Sequence, residues 1–208
     1  MKRHLARRLE AVSTFDDPSA ALEQYRTPPD IAAHVVHVAA MQSDLDGRTV
    51  VDLGSGTGML AIGVAFAGPS AVIGIEFDGA ALERARANER QVAPPTSIDW
   101  IEADATTPPI CLEDATVVMN PPFGAQNGNR HADRAFLETA GTLGAVSYSI
   151  HNAGSRSFVE RFAADNGGTV THAYQAEFEI PQQFDFHGND RRIVDTEVFR
   201  VEWVGDHS

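Results

Sequence analysis

The chain has 208 residues and a formal net charge of -13 at pH 7, from 29 aspartates and glutamates against 16 lysines and arginines. This length favours a single domain, residues 1–208, around one hydrophobic core. No apolar run approaches the length of a membrane span, and the charged segment that follows Met1 does not resemble a secretion signal. The single cysteine, Cys111, excludes an internal disulfide and a multi-cysteine metal site. We therefore expect a cytoplasmic protein with no membrane segment and no metal site.

The acidic balance bears on the kind of partner that the chain can bind. Affinity for a nucleic acid depends largely on cationic contacts to phosphate, and Lys2 is the only lysine. Such a surface is also typical of proteins from the salty cytoplasm of a halophile. In roughly molar salt the screening length falls to about 3 Å, so distant carboxylates repel a polyanion weakly. The net charge therefore does not exclude a nucleic acid.

The first 46 residues predict a mostly helical lead-in to the core. Thr27 is a suitable N-cap, Pro28 suits the first position of a helix, and the carboxylate of Asp30 favours the helix dipole. We expect a helix that begins at Pro28 with Thr27 as its cap.

From residue 47 onward, short β-rich runs alternate with helical ones. Strands are predicted at 49–53, 71–75, 97–102, 115–119 and 145–150, and helices at 59–67, 80–91, 133–143 and 155–166. This alternation predicts a parallel, doubly wound sheet. The last two strands, near 171–180 and 193–204, have no helix between them, so we expect them to form an antiparallel pair at the end of the sheet.

A glycine-rich run, Asp-Leu-Gly-Ser-Gly-Thr-Gly at 52–58, follows the first predicted strand and opens a helix. Glycines there let the backbone turn tightly against a ligand, in the crevice where open α/β sheets bind nucleotides. A dinucleotide fingerprint would need glycine where Met59 stands. The Gly-x-Gly-x-Gly spacing is instead similar to the cofactor loop of class I S-adenosylmethionine methyltransferases.

Acidic residues end the next two predicted strands. Glu76 lies about twenty positions after the loop and can accept hydrogen bonds from both hydroxyls of a ribose. Asp104 follows the third strand, where enzymes with this loop commonly bind the amine of the cofactor's adenine. Either carboxylate could instead be a solvated residue at a strand end.

The fourth predicted strand delivers Asn120, Pro121, Pro122 and Phe123 to the same edge of the sheet. The two prolines fix the backbone and hold a carbonyl rigidly toward the crevice. The Asn120 side-chain oxygen and the Pro121 carbonyl can then accept both hydrogens of a flat amine and aim its lone pair at a methyl donor. No strong base is needed, because the amine can lose its proton after methyl transfer. Phe123 offers a stacking face, which contributes about 1–3 kcal/mol per base in single-strand binders.

The acceptor of the methyl group stays open at this point between an adenine amine and a glutamine side chain. The polar run 125–131 suits a flexible lip over a substrate. Arg130, Arg134 and Arg156 could contact phosphates or could be solvated surface arginines. A catalytically inactive RNA-binding or scaffold subunit is the alternative of another class, and an intact Asn120 and glycine loop argue against it.

These motifs together resemble the methyltransferase-like protein 5 family, which methylates adenine N6 in small-subunit ribosomal RNA. The resemblance spans nearly the whole chain. It rests on Leu22-Glu23-Gln24-Tyr25 with Thr27-Pro28, the 52–58 loop, Met119-Asn120-Pro121-Pro122-Phe123-Gly124, Asp133 with Ala135-Phe136-Leu137, Tyr148-Ser149-x-His151, and Phe186-His187. It implies an α/β, Rossmann-like class I methyltransferase fold. The seven-stranded, mostly parallel sheet should have the order 3-2-1-4-5-7-6, with the last strand antiparallel and helices on both faces.

The resemblance also implies S-adenosylmethionine as the cofactor. The lead-in, residues 1–46, should cover the cofactor site, and residues 47–208 should form the Rossmann-like core. The implied cofactor residues are Gln24, Thr27, Asp52, Gly54, Gly56, Thr57, Glu76, Phe77, Asp104 and Ala105. The chain departs from the family at Arg26, where proline is usual, and at Glu76, where aspartate is commoner.

Two macromolecular partners follow from the resemblance. The substrate should be RNA, either ribosomal RNA or a ribosomal particle; protein-glutamine N5 methyltransferases use the same tetrapeptide, usually with tyrosine where Phe123 stands. The lip around Arg130 is less basic than is usual in the family, which bears on RNA affinity.

Family members also work with a small zinc-binding activator protein that adds a strand beside the third strand, here Ser97 to Glu102. That strand is apolar at Ile98, Trp100 and Ile101, and a bare apolar edge invites pairing, although a helix or the lead-in could cover it instead.

Overall fold

The computed structural model describes residues 2–15, 24, 26–122, 132–180 and 192–204, with the backbone alone for 176–180 and 192–194. These residues form the elements α1 (Lys2–Leu9), α2 (Pro29–Met41), β1 (Thr49–Leu53), α3 (Met59–Ala65), β2 (Ala71–Glu76), α4 (Gly79–Val92), β3 (Ile98–Glu102), β4 (Ala115–Met119), α5 (Ala132–Leu143), β5 (Gly144–Asn152), α6 (Arg156–Asp165), β6 (Gly168–Ile180) and β7 (Arg192–Trp203). None of these helices is long and apolar enough to cross a membrane.

The seven strands form one sheet in the order β3-β2-β1-β4-β5-β7-β6. The pairs from β3 across to β5 are parallel, and β7 is antiparallel to both β5 and β6. The predicted strand order and the antiparallel last strand are therefore confirmed. Because the chain reverses its crossover direction at β1, the carboxyl ends of β1 and β4 lie side by side at the switch point.

The sheet separates two buried apolar layers. Residues of α1, α2 and α3 cover one face, with Leu9, Val36 and Ile62 fully buried. Residues of α5 and α6 cover the other, where Leu137 and Val159 are fully buried. The lead-in is thus part of the core, because α1 and α2 supply much of the first layer.

The predicted start of the lead-in helix is wrong by one residue. Helix α2 begins at Pro29, and Pro28 precedes it in an extended conformation with no side-chain cap. The Pro28 carbonyl accepts hydrogen bonds from the N–H groups of Ile31 and Ala32, at 3.1 and 3.0 Å. Asp30 lies in the first turn as expected. Thr27 does not cap the helix because its hydroxyl accepts a hydrogen bond from a distant part of the chain.

A buried ion pair fixes the other end of α2 to the sheet. The carboxylate of Asp44 accepts two hydrogen bonds from the Arg200 guanidinium of β7, at 2.8 and 3.0 Å. Tyr148 of β5 donates its hydroxyl to the same carboxylate, and the Thr116 hydroxyl of β4 donates to the Asp44 carbonyl. Four segments of the chain therefore meet at one residue, Asp44.

The edge strand β3 exposes its aromatic side chain only in part. The Trp100 ring covers β2 so closely that a Cβ on Gly74 would lie 2.4 Å from it, and one on Gly58 would lie 2.8 Å from it. Its indole N–H donates to Glu89 at 2.7 Å, and Ile98 is buried. The apolar residues of β3 thus pack against the two core layers. The part of this edge without a neighbouring strand is its backbone.

Side chains of α4 bind part of that backbone. Alternate residues of an edge strand direct their N–H and C=O groups away from the neighbouring strand. On β3, the Ile98 N–H donates to Glu89 at 2.9 Å, and the Trp100 carbonyl accepts from Arg86 at 3.4 Å. A strand that paired with β3 would therefore compete with Glu89 and Arg86.

The imidazole of His151 is buried near the end of β5. Its Nε2 has no hydrogen-bond partner among the described residues, and the ring packs edge-on against Phe199 with centroids 5.7 Å apart. Burial lowers the pKa of His151 to about 4, because the charged form loses its hydration.

We predict that Asp44→Ala strongly destabilises the fold. The variant leaves Arg200 charged and buried without its carboxylate, and breaking such a pair costs about 3–5 kcal/mol. The free energy of unfolding in urea measures this loss. Asp114→Ala is the matched control, because its carboxylate pairs with Arg48 on the surface, with 81 % of the Asp114 side chain exposed, so we expect a loss of less than about 1 kcal/mol. Equal losses in the two variants would contradict the anchoring role of Asp44.

We also predict that His151 contributes to loss of stability in acid. Its pKa of about 4 in the folded protein lies below the ordinary value of 6.5, so the unfolded chain binds the extra proton as the pH falls from about 6.5 to about 4. His151 should therefore remove up to about 3 kcal/mol of stability across that interval. Urea unfolding at several pH values checks this: His151→Gln should flatten the curve relative to the unmodified chain. Parallel curves would rule the contribution out.

Candidate active site

The glycine loop turns sharply after β1, as the sequence predicts. Gly54, Gly56 and Gly58 all have positive φ angles, of 68°, 53° and 89°. A Cβ on Gly54 would lie 3.0 Å from the Phe136 ring, and one on Gly56 would lie 3.1 Å from Phe15. Glycine is needed here for both the backbone conformation and the close approach of two aromatic rings.

A cavity of about 350 Å³ opens between this loop, the lead-in and the carboxyl ends of β2 and β4. Its size falls in the range of small-molecule sites. The lining residues are Phe15, Gln24, Arg26, Thr27, Gly54, Ser55, Gly56, Thr57, Met59, Glu76, Phe77, Asp104, Ala105, Asn120, Pro122 and Phe136. Most of the residues predicted to bind the cofactor thus line one cavity, together with Asn120 and Pro122 of the tetrapeptide.

Glu76 holds the loop against β2. One carboxylate oxygen accepts the Gly56 N–H at 2.7 Å, and the other accepts the N–H groups of Phe77 and Asp78, both at 3.0 Å. Burial raises the pKa of Glu76, and these three hydrogen bonds oppose the rise. The carboxylate lines the cavity at the position predicted for a ribose, and two oxygens with about four acceptor positions can also accept from a ligand.

Asp52 does not line the cavity, although it was predicted to bind the cofactor. Its carboxylate is buried behind the loop and accepts the N–H of Ala61, in the first turn of α3, at 2.8 Å. Burial raises the pKa of Asp52 to about 7 against the lowering effect of this hydrogen bond. One oxygen of Asp52 thus contacts the helix that the loop opens, while Oδ1 is buried without a partner among the described residues, and its role toward the cofactor stays a prediction.

Asn120 presents a buried acceptor at the edge of the cavity. Its Nδ2 donates to the Thr27 hydroxyl at 2.9 Å, across 93 residues of sequence. Its Oδ1 is buried and has no hydrogen-bond partner in the described part of the chain. A buried oxygen without a partner costs about 1–3 kcal/mol, so it favours a ligand that donates a hydrogen bond. The side chain is therefore oriented to accept from an amine.

The remaining predicted site residues differ in their placement. Pro122 lines the cavity and Pro121 is buried beside it. Gln24 donates to the Asp78 carboxylate at 2.6 Å, and Phe77 is 58 % exposed on the cavity wall. Asp104 accepts from Thr106 and also lines the cavity, next to the buried Ala105. Phe123, the lip with Arg130, and the motif residues Leu22, Glu23, Tyr25, Phe186 and His187 lie outside the described residues.

Five lining residues were not predicted: Phe15, Arg26, Ser55, Met59 and Phe136. Ser55 and Met59 belong to the loop itself and could have been inferred from its position. Phe136 belongs to the motifs that the chain shares with the family. Arg26 is a position at which the chain departs from it. Phe15 carried no signal, since a lone aromatic residue in the lead-in indicates no contact with a loop forty residues away. Among the described residues no group of His, Cys, Asp and Glu could hold a metal ion.

Comparisons with known proteins agree with this geometry. Residues 27–169 match the family model described as "Methyltransferase small domain". An uncharacterized protein of Methanocaldococcus jannaschii is 35 % identical over 98 % of this chain and 95 % of its own length. The rRNA N(6)-adenosine-methyltransferase Mettl5 of Drosophila melanogaster is 33 % identical over 96 % of this chain and 95 % of its own length.

Solved structures show the same architecture. The crystal structure of PH1948 from Pyrococcus horikoshii has a TM-score of 0.87 at 34 % identity and covers 98 % of both chains. The structure of protein 1320 from Thermoplasma acidophilum has a TM-score of 0.73 at 28 % identity, over 97 % of this chain and 96 % of that one. From the fold, the glycine loop, the Asn-Pro-Pro edge and these relatives together, the chain belongs to the methyltransferase small domain family and, within it, to the family of methyltransferase-like protein 5.

Proposed function

We propose that the chain transfers the methyl group of S-adenosylmethionine to the N6 amine of an adenine in ribosomal RNA. The observation that carries the proposal is the buried Oδ1 of Asn120, which faces no partner among the described residues and lies at the cavity edge. The relative from Drosophila melanogaster is named for this activity, and its match covers nearly the full length of both chains.

The cavity fits this cofactor in size and in the chemistry of its walls. Glu76 and Asp104 offer carboxylates to the hydroxyls of a ribose and to the amine of an adenine. The tight turn at Gly54 and Gly56 lets the backbone approach a ligand without a side chain in between. The cofactor supplies a sulfonium-bound methyl group. The loop and the lead-in bind the cofactor and exclude water from it.

The chain's own contribution to the chemistry is to position the acceptor amine. With Nδ2 bonded to Thr27, the Asn120 amide keeps its oxygen toward the substrate. Together with the Pro121 carbonyl, it accepts the two hydrogens of the amine, which draws the lone pair out of conjugation and aims it at the methyl group. The amine gives up its proton after transfer, when it is positively charged, so the site needs no strong base. Phe123, the last residue of the tetrapeptide, would stack on the base.

A basic helix supports an RNA substrate despite the acidic composition. Helix α1 carries Lys2, Arg3, Arg7 and Arg8 with no acidic residue, and all four side chains are exposed. This concentrates four of the 16 basic residues of the chain on one short element. Such a patch can bind phosphates even on an acidic protein, because the nearest charges dominate in salt. Of the arginines that could contact phosphates, Arg156 pairs with Glu160 on the surface.

We predict that the ribosomal RNA of cells without this chain lacks one N6-methyladenosine, measured by mass spectrometry of nucleosides. Reintroduction of the unmodified chain should restore the modification, and Asn120→Ala should not, because it removes the acceptor oxygen. With purified protein, Asn120→Ala should reduce methyl transfer at least 100-fold and change the affinity for the cofactor only a few-fold. Thr27→Val is the matched control: it keeps the Asn120 oxygen but releases its orientation, so we expect a smaller loss. A methylated glutamine in place of the adenine would overturn the choice of substrate.

We propose further that a small zinc-binding activator protein pairs a strand with the edge of β3. Two features support this: β3 is an edge strand, and its inward side chains leave the backbone as the available surface. The contacts of Glu89 and Arg86 to that backbone protect the edge when the chain is alone, and a partner strand would replace them.

The backbone contact can be tested at Glu102, which by alternation directs its N–H away from β2. We predict that Glu102→Pro prevents co-purification with the activator, because proline removes the N–H donor from the edge and leaves the pairing with β2 intact. Glu102→Ala is the control and should bind as the unmodified chain does. Equal binding by both variants would contradict strand pairing. Trp100→Glu is unsuitable for this purpose because Trp100 packs on Gly58 and Gly74 inside the fold.

A further inference from the structure

Arg26 is a cation on the wall of the cofactor cavity. Its Nη2 donates to the carbonyls of Leu9 and Glu10 at the end of α1, both at a long 3.3 Å. Its Nε is buried and has no hydrogen-bond partner within the described ranges. Burial lowers the pKa of Arg26, and the nearby carboxylate of Glu10 opposes this effect. The guanidinium is therefore half-desolvated and incompletely bonded.

The charges of the cavity wall are unequally distributed. Among the described residues that line the cavity, Glu76 and Asp104 are acidic and Arg26 is the only lysine or arginine. The two carboxylates lie after β2 and β3, at the end where the nucleoside should bind. Arg26 precedes Thr27, which contacts Asn120, so it belongs to the end where the methyl group is transferred.

The charges of the cofactor all lie at its methionine end, which carries the sulfonium, an ammonium and one carboxylate, while the nucleoside is neutral. Its sulfur bears the methyl group, the ribose and the amino-acid chain, so the amino-acid chain begins one bond from the atom that releases the methyl group. This chain ends in a carboxylate, which is the single anionic group of S-adenosylmethionine. A guanidinium binds a carboxylate through charge-assisted hydrogen bonds, and Arg26 has an unpartnered Nε besides the Nη2 that contacts the end of α1.

We propose that Arg26 binds the carboxylate of the cofactor's methionine part. The inference rests on the cofactor in the proposed function and deepens it. It also gives a role to a residue at which the chain departs from its family, where proline has neither a charge nor a donor. In this chain the carboxylate contact is supplied by a side chain that also bonds to the end of α1, so the lead-in would be tightened by the bound cofactor.

The test uses a pair of ligands and a pair of variants. S-adenosylmethionine and its decarboxylated analogue differ only in the carboxylate, and isothermal calorimetry measures the affinity of the full chain for each. Arg26→Gln removes the charge and keeps donors that can reach the carbonyls of α1. We expect it to weaken S-adenosylmethionine by 10- to 100-fold, the range of a charge-assisted hydrogen bond, and to change the affinity for the analogue by less than two-fold. Arg26→Lys should recover part of the loss, because it restores the charge without the Nε donor of the guanidinium.

The outcomes separate this role from a structural one. If Arg26→Gln weakens both ligands equally, Arg26 acts by holding the lead-in to α1 and the proposal is wrong. If it weakens neither, Arg26 does not contact the ligand and the proposal is equally wrong. The result is independent of RNA: a chain that binds the cofactor through Arg26 but methylates no adenine would contradict the proposed substrate and leave this inference standing.

Discussion

The cofactor cavity depends on the attachment of α2 to the sheet at both of its ends. At one end, Asp44 binds the buried guanidinium of Arg200, and at the other the Thr27 hydroxyl accepts from Asn120. The described residues of the lead-in form no strand of the sheet, so polar contacts such as these and apolar packing hold them there. Because Gln24, Arg26 and Thr27 line the cavity, a shift of α2 would open the wall. Stability and cofactor binding therefore share the same contacts.

The parallel, doubly wound sheet was predictable from the residues because local signals and long-range constraints agree, and the strand order followed from the family resemblance. Short apolar strands alternate with helical segments. Parallel strands bring the glycine loop, Glu76 and Asn120 to one edge of the sheet, whatever the lengths of the connecting loops. The strands at 49–53 and 115–119 have the predicted bounds, since both lie inside the sheet, with Gly54 directly after the first and Asn120-Pro121 after the second. For such segments the residue type determines the structure almost alone.

The details that could not be predicted all involve contacts between residues far apart in sequence. Thr27 is of a residue type that is typical of helix caps, yet its hydroxyl accepts a hydrogen bond from Asn120 and the helix begins at Pro29. Trp100 lies on a strand whose sequence predicts an exposed apolar edge, yet the glycines at 58 and 74 leave room for its ring against the sheet. Asp52 has the position of a ligand residue, yet it faces α3. In each case the residue type is compatible with two environments, and only the packing of a remote segment selects one.

The hydrogen bond from Asn120 to Thr27 also determines which bases the site can tolerate. The Asn120 nitrogen faces Thr27, so in its proposed role the amide turns its oxygen toward the substrate, and the site presents acceptors there. Adenine meets them with an amino group at position 6. Guanine and hypoxanthine carry a carbonyl at that position, which would bring oxygen against oxygen without a proton to share. If Asn120 has its proposed role, one hydroxyl of the lead-in thus helps the chain to distinguish an adenosine from its deaminated product, inosine, before any chemistry begins.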